Sequence, residues 1–376
     1  MTGARIPIVE IESLEEFDSR LTGTTSISRW AIKSVDLRRR AEALSHVKVD
    51  GTLFLGCSMP TSLEDDLTNR GALVFPAMQH VPFNPYRAGL YTATELYDAL
   101  SKPHSTSYAK TLDGRVFAWY TAQGHTPPLP SALAMSLHDQ AISDALDDWL
   151  AGVDTLRLVG VMGGHATSRD DDAYRIAATL GGELTRGGFT VATGGGPGAM
   201  EAVNLGARLA HADAALLDDA LARLAAVPDF HGNVTAWAKV ALEVLAECPA
   251  PPATIGIPTW FYGHEPPNAF ATHIAKYFSN ALREDVLLSR CQGGLIILPG
   301  AAGTVQEVFQ SATRNYYAAH ADLITPVVLV GKKHWTQSLP VWGLLQALGD
   351  GRDMSTQIHL VDTAEEAIGV LAPRAC

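Results

Sequence analysis

The stretch Leu295-Ile-Ile-Leu-Pro-Gly-Ala-Ala-Gly-Thr-Val-Gln-Glu307 decides the reading of this chain. Its four apolar residues, Leu295 to Leu298, predict a buried parallel strand. Pro299 ends the strand, Gly300 and Gly303 make a small-residue turn, and Thr304 restarts the chain as a helix. Thr304 is expected as the N-cap, with Glu307 three residues on as in a capping box. A glycine turn feeding a helix leaves backbone N–H groups free to hold an anion, and the helix dipole adds to the attraction. A second device of this kind lies upstream. Phe189 to Thr193 reads as a strand, Gly194-Gly-Gly-Pro-Gly-Ala-Met200 as its turn, and Glu201 to Ala210 as the following helix. Two phosphate-sized cradles in one α/β domain point to a nucleotide.

Working outward, Leu156 to Met162 predicts another strand, turning through Gly163-Gly164-His165 into a helix whose start carries Asp170, Asp171 and Asp172 and whose end is expected at Gly181-Gly182. Ala207 to Ala226 reads as one Ala/Leu-rich helix and Ala253 to Trp260 as a strand. Ala271 to Leu288 reads as a helix carrying His273, Lys276, Asn280, Arg283 and Glu284. Further strands at Thr325–Val330 and Gln357–Val361 complete an alternation of strands and helices, which predicts a doubly wound, Rossmann-like parallel sheet. Ligands of such folds bind beyond the carboxyl ends of the strands, where both glycine turns must lie. Residues 1–130 form a smaller α/β unit, with a helix at Ser13–Leu21, a strand at Gly51–Cys57, a helix at Ser62–Arg70 and a strand at Ala72–Phe75. The proline-rich Gly124-His-Thr-Pro-Pro-Leu-Pro130 is the expected linker to a second domain at 131–376. The sequence shows no internal repeat.

A net charge of −12 argues against a nucleic-acid partner, which demands a basic patch. No apolar run reaches the roughly 18 residues that would span a bilayer, and Met1-Thr-Gly-Ala-Arg-Ile-Pro7 has no signal-peptide core, so no membrane partner and a cytoplasmic location are expected. Cys57, Cys248, Cys291 and Cys376 are scattered, as suits reduced thiols. The histidines show no metal-ligand spacing, and His264-Glu265 lacks the second histidine of a zinc protease. No metal and no cofactor are expected. Gly194-Gly-Gly-Pro-Gly-Ala199 formally satisfies a dinucleotide fingerprint, but the acidic residue that should close the next strand is missing, which disfavours NAD. Neither turn contains the lysine of a P-loop.

Taken together, Gly194-Gly-Gly-Pro-Gly-Ala-Met-Glu-Ala-Val-Asn-Leu-Gly-Ala207 and Pro299-Gly-Ala-Ala-Gly-Thr-Val-Gln-Glu307 resemble the two motifs of the LONELY GUY (LOG) type phosphoribohydrolases, long called "lysine decarboxylases", and of related nucleotide monophosphate nucleosidases. The resemblance covers about Leu156 to Val370. It implies hydrolysis of a purine-type nucleoside 5′-monophosphate to free base and ribose 5-phosphate. The phosphate would be held by Gly300, Gly303 and Thr304 with Gly195, Gly196, Gly198 and Ala199; Gly194, Met200, Gly163 and Gly164 complete the candidate binding set. Glu307 matches the catalytic acid, and Arg283 matches the arginine that positions the substrate. The resemblance also implies a homodimer or larger homo-oligomer. Ala301 replaces the second glycine of the signature, and Glu284 follows Arg283 where plant-type members have lysine. The alternative reading is a non-catalytic nucleotide-binding or regulatory protein.

Overall fold

The computed structural model describes residues 9–100, 107–261 and 265–371; His264, Cys376 and the first seven residues discussed above lie outside them. The chain divides into two compact units, Met1–Gly89 with Gln123–Ala145, and Leu90–Ala122 with Leu146–Cys376. The second unit thus takes in residues 90–122, ahead of the proline-rich stretch.

The first unit alternates β1 (Val9–Ile11), α1 (Leu14–Leu21), β2 (Trp30–Lys33), α2 (Ala41–Ser45), β3 (Leu53–Leu55), α3 (Thr61–Asn69) and β4 (Leu73–Phe75). All four strands are parallel and lie in chain order. Val9 pairs with Trp30, Ala31 with Leu53 and Leu53 with Leu73, offsets of 21, 22 and 20 residues. Each turn of chain therefore adds one strand beside the last, as in a short solenoid. The repeat is one of geometry and not of sequence. Its turns share a spacing and an apolar inner face (Ile11, Ile32, Phe54; Phe17, Leu44, Leu63) but no common motif.

After α4 (Ala93–Leu96), α5 (Leu112–Ala122) and α6 (Leu129–Leu150), the second sheet is built from β5 (Leu158–Met162), α7 (Asp172–Arg186), β6 (Thr190–Thr193), α8 (Ala199–Arg208), α9 (Ala214–Ala225), α10 (Val234–Glu247), β7 (Thr254–Gly256) and β8 (His273–Ile274). It continues with α11 (Asn280–Arg290), β9 (Gly294–Ile297), α12 (Ala302–Tyr316), β10 (Val327–Val330), α13 (Trp342–Gly349), β11 (Ile358–Val361) and α14 (Ala364–Leu371). Its parallel strands run β11-β10-β9-β5-β6-β7-β8. The chain starts at the central β5, lays strands outward on one side, then returns to β9 and builds outward on the other. This is the doubly wound sheet that the sequence predicts. Its connections part company between β5 and β9, which is where a crevice must open beyond the strand ends. β5, β9 and β10 are buried throughout, as sheets covered on both faces require.

Three local expectations need correction. The first helix after β5 does not stop at Gly181-Gly182 but runs on to Arg186. The glycines serve packing instead: a Cβ on Gly181 would lie 2.1 Å from the Val203 carbonyl oxygen, and one on Gly206 1.7 Å from that of Ala178, so α7 and α8 touch backbone to backbone. The Ala/Leu-rich stretch is two helices, because Asp213 caps a new one by accepting from Ala215 N at 3.0 Å. The stretch from Ala271 opens as the edge strand β8, where Thr272 Oγ1 donates to the Thr254 carbonyl at 2.6 Å, and helix begins only past the Ser279 cap. Cys57, Cys248 and Cys291 are free thiols. Among the described residues no helix is long and apolar enough to cross a membrane.

Candidate active site

The parting of β5 and β9 opens a cavity of about 630 Å³. One wall is the turn after β5, Gly163 to Thr167; the opposite wall is the turn after β9, Pro299 to Thr304. The two are tied at their base, where Gly164 N donates to the Pro299 carbonyl at 3.1 Å. Helix α12 starts earlier than expected, with Ala301 rather than Thr304 at the N-cap position. The missing Cβ of Gly300 allows this: a side chain there would meet Thr304 Oγ1 at 2.2 Å. No capping box forms. Glu307 sits one turn inside the helix, on the same face as Gly303 and Thr304, and so looks into the cavity. Ala301 has φ −115°, a conformation open to any residue, so the signature's second glycine is not needed here.

The floor is an ion pair. Arg283 reaches from α11, donating through Nη1 to Glu307 Oε1 at 3.3 Å and through Nε to the Ile257 carbonyl at 2.9 Å. Both side chains are about nine-tenths buried. Burial pushes the Glu307 carboxyl up to about 7, and the nearby carboxylates of Glu284 and Glu265 add to the rise while Arg283 opposes it. Glu284 is fixed by Asn280 Nδ2, at 2.8 Å, and by Gln306 Nε2. The post-β7 segment that supplies the Ile257 carbonyl is anchored by a buried cluster. There Asp113 accepts from Lys276 Nζ at 2.6 Å and from Trp260 Nε1 at 2.8 Å. Lys276, expected on the arginine's helix, is instead committed to this pair.

Of the candidate residues, Gly163, Gly164, Met200, Arg283, Gly300, Gly303, Thr304 and Glu307 all border the cavity. Gly194, Gly195, Gly196, Gly198 and Ala199 do not: they are buried behind it, and their smallness lets other groups close in. A Cβ on Gly194 would lie 2.8 Å from Arg283 Nη2, and one on Gly198, whose φ is +71°, 2.5 Å from the Gly164 carbonyl oxygen. The second glycine turn is thus the bed of the site. Gly198 also edges a smaller neighbouring cavity of about 250 Å³, beside the buried Arg169–Glu201 pair and Trp237. Sequence reasoning missed His165, Glu265 and His334, which border the main cavity. His334 Nε2 lies 3.1 Å from the Gly300 carbonyl oxygen, bracing the turn from beneath. His165 directly follows the Gly163-Gly164 pair, the one signal that could have marked it. Chemically, the wall at the start of the 15-residue α12 suits an anion. The floor supplies a carboxyl group and a fixed guanidinium.

Residues 238–371 match the family described as "Possible lysine decarboxylase" and residues 156–214 the "SLOG cluster4 family". These two segments identify a LOG-like, lysine-decarboxylase-type domain within the chain. Among solved structures it is similar to the molybdenum cofactor binding protein from the phototrophic bacterium Rippkaea orientalis, at 16% identity and a TM-score of 0.35, covering 58% of this chain and 97% of that one. It is similar also to the Moco Carrier Protein from Chlamydomonas reinhardtii, at 16% identity and a TM-score of 0.35, covering 58% and 96%. No curated protein matches the chain.

Proposed function

We propose that this protein hydrolyses the N-glycosidic bond of a purine-type nucleoside 5′-monophosphate, releasing the base and ribose 5-phosphate. The observation that carries the reading is the Arg283–Glu307 pair lying on the floor of a cavity whose wall is a helix N-terminus. The phosphate sits against Gly300, Gly303 and Thr304, where backbone N–H groups and the helix dipole favour it. Binding there spends no energy at the reacting carbon but holds the ribose in place. C1′ then faces Glu307. As the bond to the base lengthens, positive charge grows on the sugar, and the carboxylate stabilises it. The same carboxylate takes a proton from the attacking water. Arg283, held by the Ile257 carbonyl, keeps Glu307 aimed at the sugar.

Purified protein incubated with a panel of nucleoside 5′-monophosphates should release free base, detected by chromatography. Glu307→Ala should cut the rate by about 10³-fold while leaving the circular dichroism spectrum unchanged. Tight nucleotide binding with no base released from any member of the panel would make this a binding protein and end the hydrolase reading.

A further inference from the structure

We propose that His165, backed by Glu265, is the acid that protonates the departing base; the assignment rests on the hydrolase reading above. A purine leaves poorly as an anion, so a second group besides Glu307 is required to deliver a proton to it. The cavity offers few. Glu284 is held by Asn280 and Gln306, and His334 has its Nε2 committed to Gly300. Arg283 is bound to Glu307 and the Ile257 carbonyl, and a guanidinium does not give up its proton.

His165 differs from all of these. Its Nδ1 faces Glu265 Oε1 at 3.5 Å, and among the described residues no hydrogen bond engages its Nε2. A carboxylate behind one ring nitrogen orients the ring, leaving the other nitrogen to the substrate. The backbone under it is firm: Gly164 N donates to the Pro299 carbonyl and Ala199 N to the Gly164 carbonyl, both at 3.1 Å. Exposure orders the site from floor to mouth. Glu307 and Arg283 are nine-tenths buried, Glu265 is 27% exposed and His165 47%. A nucleotide with its sugar over the floor presents its base towards the mouth, where His165 stands.

The step balances as follows. The C1′–N bond breaks with its electron pair going to the base, and His165 Nε2 transfers its proton to a ring nitrogen of that base. The oxygen of water bonds to C1′ while Glu307 accepts the proton water loses. Exchange with solvent then returns a proton to His165 and removes one from Glu307.

The test compares guanosine 5′-monophosphate with 7-methylguanosine 5′-monophosphate, whose cationic base departs neutral without a proton. His165→Gln should lower kcat for the first by about 10²-fold, with KM within about threefold, and leave the second within about threefold of wild type. Glu307→Gln should slow both substrates. Glu265→Gln, a change at the positioning residue, should follow the His165→Gln pattern at smaller amplitude. An equal fall in kcat for both substrates, or a rise in KM for both with kcat kept, would make His165 a phosphate or structural contact and overturn the assignment while leaving the hydrolase intact. Wild-type cleavage of guanosine 5′-monophosphate but not of the methylated nucleotide would overturn it too, since a site limited by base departure should release the charged base first. Absence of turnover on both substrates and on every other nucleoside 5′-monophosphate of the panel would remove the hydrolase reading itself.

Discussion

The two sheets of this protein are both parallel and both flanked by helices, yet they connect their strands differently, and the cavity of the candidate site lies in the second. In the first unit the strands follow chain order, so every connection crosses in the same sense and neighbouring loops lie side by side. In the second the order reverses about β5, and the loops after β5 and β9 leave in opposite directions. The gap between them becomes the cavity. The difference lies in connectivity more than in composition. A sheet that never reverses has to gain a binding site some other way.

That contrast can be broken or sharpened by experiment. The largest effect is expected at the floor of the crevice: Arg283→Ala should reduce the hydrolysis rate by about 10³-fold, because the Glu307 carboxyl loses its nearest cation and its aim. Asn84→Ala, which removes the donor to Ser34 Oγ at 2.9 Å in the first unit, should leave the rate unchanged. Matching losses would erase the distinction between the two sheets. Next in size, Asp113→Ala strands the buried Lys276 ammonium and should destabilise the protein by about 3 kcal/mol or more, read as a fall in urea midpoint. An unchanged midpoint would show that the cluster does not anchor the segment after β7.

A smaller effect concerns pH. Glu307 titrates near 7 in the folded chain against 4.5 for a free side chain. Between those values the folded state holds more protons than the unfolded one, so its contribution to stability is full below 4.5 and fades as pH rises towards 7. Thermal midpoints measured across that window should decline less in Glu307→Gln than in wild type; parallel curves would contradict the burial argument. The smallest effect is expected for Ala301→Gly, within about twofold of wild type in KM, since the backbone there never needed glycine. A large change would mean that the Ala301 methyl touches the ligand.

Much of this architecture was legible in the sequence because it rests on local signals. Apolar runs such as Leu295–Leu298 mark buried strands, and glycine turns such as Gly194–Gly198 mark the strand ends. What could not be read depends on partners distant in the chain. Gly181 reads as a helix end until α7 and α8 are seen to meet through it and Gly206. Lys276 reads as a residue of Arg283's helix, seven positions before it, but it lies ahead of that helix and pairs with Asp113, 163 positions away. The glycines at 194–198 and 300–303 carry the same kind of motif, yet packing puts the first set behind the cavity and the second on its wall. His165 faces Glu265 across a hundred residues, a juxtaposition that no spacing rule contains. The solenoid of the first unit leaves no sequence signature because its turns share a length without sharing residues.

The most direct test is a crystal structure of the Glu307→Gln protein soaked with adenosine 5′-monophosphate. The account expects the phosphate against Gly300, Gly303 and Thr304, and C1′ within about 4 Å of the residue 307 side chain. A phosphate lodged elsewhere, or a sugar turned away from residue 307, would contradict it.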